Sequence, residues 1–163
     1  MIFNKRWMMG AVAIVFGLFM FIPIAQAEQP YDMTSYHSGK IKVLFADKEM
    51  TIWSGEGWGI TMSNHENKVF DNCTFHVMTV IQVMGDKITE TGFVKLMDPD
   101  GDIVVAQTSR VGTESITKFL HGTGKYKSIT GRGKSHRIVF GRIPPDSAAA
   151  CSRGIGTFEL PKK

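Results

Sequence analysis

Two carboxylates stand out by their surroundings. In residues 50–62, MTIWSGEGWGITM, alternation places Ile52, Ser54, Glu56, Trp58, Ile60 and Met62 on one strand face. Trp53, Gly55, Gly57 and Gly59 take the other. In residues 88–97, Ile88, Glu90, Gly92, Val94 and Leu96 share a face. Each glutamate is the lone acid of an otherwise apolar row. If both rows line a closed interior, burial raises both pKa values. The pair could then work as acid and base, or hold a cationic or hydroxylated ligand. The competing expectation has each acid in water or beside a Lys or Arg. Trp58 and His76 join Glu56 and Glu90 as the candidate cavity set, although a tryptophan at such a place more often packs in a core.

Other chemistries lack their residues. The five histidines are His37, His65, His76, His121 and His136, and none pairs at a zinc-motif spacing. His76 and His121 are the two that strands could bring together, with scattered histidines the simpler expectation. Residues 98–102, DPDGD, lack the D-x-D-x-D-G spacing of a calcium loop, and the twelfth position is Ser109. Gly124-Lys125 is followed by Tyr126 rather than Ser or Thr, which excludes a phosphate loop. No Gly-x-Ser-x-Gly setting is present. Neither a metal nor a cofactor is expected, and no residue is assigned a catalytic role. Asn72-Cys73-Thr74 matches a glycosylation sequon, discounted beside a bacterial-looking export signal.

That signal occupies the start of the chain. Lys5 and Arg6 precede an almost wholly apolar stretch, residues 8–22, and Ala25-Gln26-Ala27 has the small-x-small form of a signal-peptidase site. The pattern predicts a secretory signal peptide over residues 1–27. The alternative is a retained membrane anchor, but the apolar core is short against the roughly 20 residues of a membrane span, so no stable span is expected after cleavage. The expected compartment is the bacterial periplasm or the exterior. Lys5 and Arg6 are the leader's only charges, so removing them takes the net charge of the 163-residue chain from +4 to +2. No basic stripe with interleaved aromatics supports a nucleic-acid partner. Cys73 and Cys151 remain, an even count in an oxidising compartment, and predict one disulfide. Its loop of about 80 residues would contribute about 4 kcal/mol in the chain-entropy view. The alternative is two free buried thiols.

Residues 28–163 read as a single domain, large enough to bury a core of its own. No stretch has a helical period. Short β-branched and aromatic runs alternate with turn signals about every ten residues. Strands are expected over residues 35–45, with a break or bulge near Gly39, and over 50–62, 73–84, 88–97, 103–108, 114–121, 125–130 with 134–140, and 154–160. Residues 142–150 read as a loop delivering Cys151. Residues 73–84 are apolar on both faces, the pattern of a strand buried on both sides. About eight short antiparallel strands favour a closed all-β barrel, since closure leaves no open edge. A two-sheet β-sandwich is the alternative.

Residues 119–133, FLHGTGKYKSITGRG, are the most distinctive stretch. Gly122-Thr-Gly-Lys-Tyr126, then Ile129-Thr130-Gly131 and Gly133 behind a strand carrying Phe119, resemble the allene oxide cyclase and dirigent-like barrel superfamily. Within it they are most similar to a group of small exported bacterial proteins. The DPDGD turn, the Cys73 and Cys151 pair and the closing Gly156-Thr-Phe-Glu-Leu-Pro161 fit that group. Ser128, where glycine is common, and Arg132, where a small residue is common, depart from it. The resemblance implies an eight-stranded barrel with a central cavity and carries over no active site.

Many apolar strand faces without a catalytic constellation favour a non-catalytic role. The chain is expected to bind a small apolar or amphipathic molecule, or to serve as a stable envelope component. A cyclase or isomerase that confines a reactive substrate is the alternative, favoured if Glu56 and Glu90 face inward. A homo-oligomer is the third expectation.

Overall fold

The computed structural model describes residues 27–143 and 146–161. The expected leader, residues 1–27, lies outside the described residues except for Ala27. Eight strands follow: β1 Gln29–Ala46, β2 Met50–Ser63, β3 Thr74–Met84, β4 Lys87–Met97, β5 Ile103–Val111, β6 Glu114–Gly122, β7 Thr130–Ile143 and β8 Ser147–Glu159. Each pairs antiparallel with the next, and β8 returns to β1, from Gln29 opposite Phe158 to Lys40 opposite Ser147. The result is the closed barrel; a sandwich is not formed.

Strict alternation along each strand sends one row inward and one outward. The buried cluster identifies the inward row. Tyr31 on β1, Phe75 on β3, Leu96 on β4, Val104 and Ala106 on β5, Phe119 on β6 and Phe158 on β8 are all buried. They gather at one end, around Phe70 from the loop joining β2 to β3. The Phe70 ring centroid lies 5.4–5.8 Å from those of Phe119, Tyr31, Phe158 and Tyr126. Its backbone has a positive φ of 57°, and the Thr61 hydroxyl donates to its carbonyl at 2.6 Å. The loop thus turns an aromatic plug into the barrel. Tyr31 packs its hydroxyl on the β7 backbone: a Cβ on Gly133 would fall 1.9 Å from that oxygen.

Outside the plug, the two motifs at this end join. Lys125 Nζ lies 2.6 Å from Asp98 Oδ2 and 2.8 Å from Asp100 Oδ2. The Lys125 amide donates to Asp102 at 3.0 Å, and the Ile103 amide donates to the Thr123 hydroxyl at 2.8 Å. Burial pushes the Asp98 carboxyl up, but Lys125 and the amides of Asp102 and Asp100 outweigh it and hold it below the usual carboxylate value.

Several strands run longer than expected, β1 and β8 the most. β1 begins at Gln29 and passes Gly39 without a break, its irregularity falling between Val43 and Phe45. β8 begins at Ser147, inside the expected loop, because the run Ala148–Ala149–Ala150 still pairs with both β1 and β7. Of residues 125–130, expected as strand, only Thr130 is one, as the first residue of β7. Gly124–Tyr126 forms a single 3-10 turn, with Gly124 and Ser128 at positive φ, and Asp102 crowds Gly124 so closely that no Cβ would fit. The outer face of β3, expected to be covered, is open: Met78, Val80 and Met84 are exposed.

Removing the plug tests this account. Phe70→Ala should cost about 3–5 kcal/mol in chemical denaturation, the range for emptying a buried aromatic site. A loss under about 1 kcal/mol would mean that Phe70 does not hold the closed end.

Candidate functional site

The inward rows carry the site. Phe75, Val77 and Ile81 share a parity on β3, and Glu90, Val94 and Leu96 share one on β4. Glu90 therefore faces the interior. On β2 the inward row is Trp53, Gly55, Gly57, Gly59 and Thr61, since Thr61 is buried and a Cβ on Gly59 would meet the Phe75 ring at 2.8 Å. Glu56 and Trp58 consequently face outward, and so does His76, which pairs with Trp58 across β2 and β3.

This corrects the candidate cavity set. Glu56, Trp58 and His76 form an exposed outer cluster and Glu90 stands apart from them. The His76 Nε2 to Glu56 Oε1 distance is 2.8 Å, and the His76 ring stacks on Trp58 at 5.2 Å and 7°. The Glu56 side chain is 47% exposed against 17% for Glu90. The physical reason lies in the glycines of β2. They are the inward row because neighbouring strands approach too closely for side chains, which turns the bulky apolar row of this strand to the outside.

The interior toward the end opposite the plug is differently furnished. Glu90 lies opposite Arg110 on β5, and Arg110 Nη2 reaches Glu90 Oε2 at 2.7 Å. Arg137 on β7 pairs with Ser152, in the inward row of β8, and its guanidinium lies 4.7 Å from the Phe140 ring centroid. Burial lowers the Arg137 pKa, nearby Arg110 lowers it further, and Glu90 acts against both. His37 on β1 lies between this group and the plug, its ring 5.8 Å from Phe75. Burial first, then Arg137, lowers its pKa and favours the neutral ring. His37 Nδ1 and Arg110 Nε are buried and have no hydrogen-bond partner among the described residues.

At the rim, Val43 and Phe140, on inward rows, remain 56% and 46% exposed. The lumen is filled at the plug and open here. Trp53 and Ile81, paired across β2 and β3, continue the wall beside Glu90. Arg110, Arg137, His37 and Trp53 were not singled out by sequence reading. A usable signal existed for Arg110: Val104, Ala106 and Thr108 precede it at the same parity. Arg137 had no such signal, because the residues that precede it at the same parity, Gly131, Gly133 and Ser135, are small rather than apolar.

The expected Cys73–Cys151 bridge is not formed; both thiols are free. Cys73 is buried beside the plug, and burial pushes its thiol up to about 11. Cys151 lies on β8 opposite the exposed Tyr36. The ladder path from Cys73 runs through Thr61 and Ser35 to Ser152, three strand spacings or about 14 Å. A disulfide needs Cα atoms within about 7 Å. His76 and His121 are likewise three strands apart, through Lys95 and Val105. Among the described residues no three metal-binding side chains converge, and no helix is long and apolar enough to cross a membrane.

The two glutamates should separate on substitution. Glu56→Gln should change stability by less than about 0.5 kcal/mol, as for an exposed pair. Glu90→Gln should cost about 1–3 kcal/mol by leaving Arg110 uncompensated. Equal effects in thermal and chemical denaturation would contradict the inward and outward placement.

The chain matches no protein-family model, and no curated protein sequence matches it significantly. Solved structures do match. The pterocarpan synthase dirigent protein GePTS1 aligns over 85% of this chain and 90% of its own, with a TM-score of 0.52 and 7% identity. The pterocarpan synthase dirigent protein PsPTS1 aligns over 85% and 99%, with a TM-score of 0.53 and 9% identity. At such identity the likeness concerns the fold. Together with the eight-stranded closure, it gives this chain the dirigent and allene oxide cyclase-like barrel architecture.

Proposed function

We propose that this is an exported, non-catalytic barrel that binds a small apolar or amphipathic molecule in its open end. The observation that carries the reading is the unfilled mouth, where inward-row side chains such as Val43 and Phe140 stay half-exposed above a solid plug. The naming of the structural neighbours as dirigent proteins supports a barrel that holds a small molecule rather than one that only resists unfolding. The export leader, read from residues 1–27, supports the periplasm or exterior as its place. The enzymatic alternative, a cyclase or isomerase, loses its main support. Its two acids do not share a cavity, and the inward one is held by Arg110.

A neutral fluorescent probe, N-phenyl-1-naphthylamine, tests this directly. Bound in the lumen, it should accept energy from Trp53, and Trp53→Phe should abolish most of that transfer while Trp58→Phe leaves it. Absence of binding, or transfer that depends on Trp58 instead, would refute a lumen site.

A second reading concerns assembly. Tyr36, Trp58, Ile60, Met78 and Phe93 stand exposed on the outer faces of β1 to β4. An open groove of ≈ 570 Å³ runs past Tyr36, Trp58, Ile60 and Val139. Exposed apolar area on this scale favours contact between copies of the chain. Light scattering of the purified protein should give a multiple of the monomer mass, and Trp58→Asp should reduce it; a monomeric wild type would remove the reading.

A further inference from the structure

We infer that the lumen ligand is an amphipathic anion, a carboxylate whose headgroup is held by Arg110 and Arg137 while its apolar part lies against Trp53, Ile81 and Phe140. This rests on the lumen-binding reading above and adds the ligand's charge. Among the residues whose side chains are described, the strand rows that face inward carry three ionic ones: Glu90, Arg110 and Arg137. Two guanidinium groups against one carboxylate leave one positive charge in excess. His37 does not offset it, because an imidazole carries no negative charge in either of its protonation states.

The donors are also in excess. Each guanidinium offers five N–H groups and no acceptor. Glu90 meets Arg110 through Nη2, and Arg110 Nε is left buried without a partner. His37 Nδ1 is buried and unpartnered as well. Arg137 has no carboxylate partner among the described residues, and its guanidinium, exposed at the mouth, lies 4.7 Å from the Phe140 ring centroid. An unmatched buried donor costs free energy that a bound acceptor recovers. A carboxylate fits the paired N–H geometry of arginine, and the charge-assisted bond is stronger than a neutral one. Ser115 and Ser152 stand opposite the two arginines, while Val43, Trp53 and Ile81 make an apolar wall on the β1 to β3 side, which suits a chain or ring attached to that carboxylate rather than a free inorganic anion.

Displacement of N-phenyl-1-naphthylamine by dodecanoate and by dodecanol, both below their micelle-forming concentrations at pH 8, distinguishes the possibilities. A purely apolar lumen would favour the alcohol, because desolvating a carboxylate is costly. An arginine-lined lumen reverses that order. Dodecanoate should displace the probe at a concentration about tenfold lower than dodecanol. Arg137→Gln should remove this advantage without changing dodecanol, and Glu90→Gln should tighten dodecanoate by releasing Arg110. The second variant gains affinity, a result that misfolding cannot produce. Dodecanol displacing as well as or better than dodecanoate would overturn the anionic ligand and leave lumen binding standing. No binding of the probe or of either competitor would overturn both.

Discussion

The arrangement of this barrel follows from one constraint: a strand interior alternates, so fixing a few side chains in the plug fixes every other inward position. Phe70 turns into the barrel from the loop between β2 and β3 and gathers Tyr31, Phe119, Tyr126 and Phe158 around it. Leu96 on β4 belongs to that buried cluster. Glu90 precedes it by six positions, hence has the same parity and lies about 20 Å toward the other end. The same arithmetic takes Val104 on β5 to Arg110. The ion pair of the lumen is therefore positioned by an aromatic cluster with which it has no contact.

The closed end is held from outside as well as inside. Asp98 and Asp102 belong to the β4–β5 turn, while Lys125 and Thr123 belong to the β6–β7 connection. Their bonds tie two connections about 20 residues apart in sequence, which the β5–β6 hairpin brings side by side where Val104 lies opposite Gly122. Gly124 is at positive φ with Asp102 against it, so the corner accepts glycine for both backbone and steric reasons. The conspicuous Gly-Lys-Tyr corner is thus a structural clamp: its lysine satisfies carboxylates, and its tyrosine packs on Phe70.

Much of the fold was legible, and the reasons are local. Alternation and turn chemistry at Asp47, Gly85 and Gly101 mark strand ends without any knowledge of partners. The inside and outside of each strand were harder. On β4 the apolar row faces inward, as a pattern argument supposes. On β2 the inward row is glycine, because packing space is set by neighbours that sequence does not reveal. That inversion moved Glu56 and Trp58 to the surface together with His76. The cysteine pairing failed for a related reason. Parity and strand separation, neither visible in a count of two, keep Cys73 and Cys151 apart.

The contrast between the two ends bears on function more than either end alone. Buried ion pairs roughly break even against apolar packing of similar volume. A barrel selected only for stability would fill its upper layer as it fills its lower one. The outer pair of Glu56 and His76 has no such significance, since exposed pairs contribute little and solvent screens them. Inside, Glu90 orients Arg110 yet leaves Nε without an acceptor, and Arg137 is stacked rather than paired. Donors already held in place lose little further order when an acceptor arrives, which is the physical basis of preorganised recognition. The rigid plug supports that arrangement, for a lumen that could collapse onto its arginines would bring their aliphatic stems into the core and close the opening.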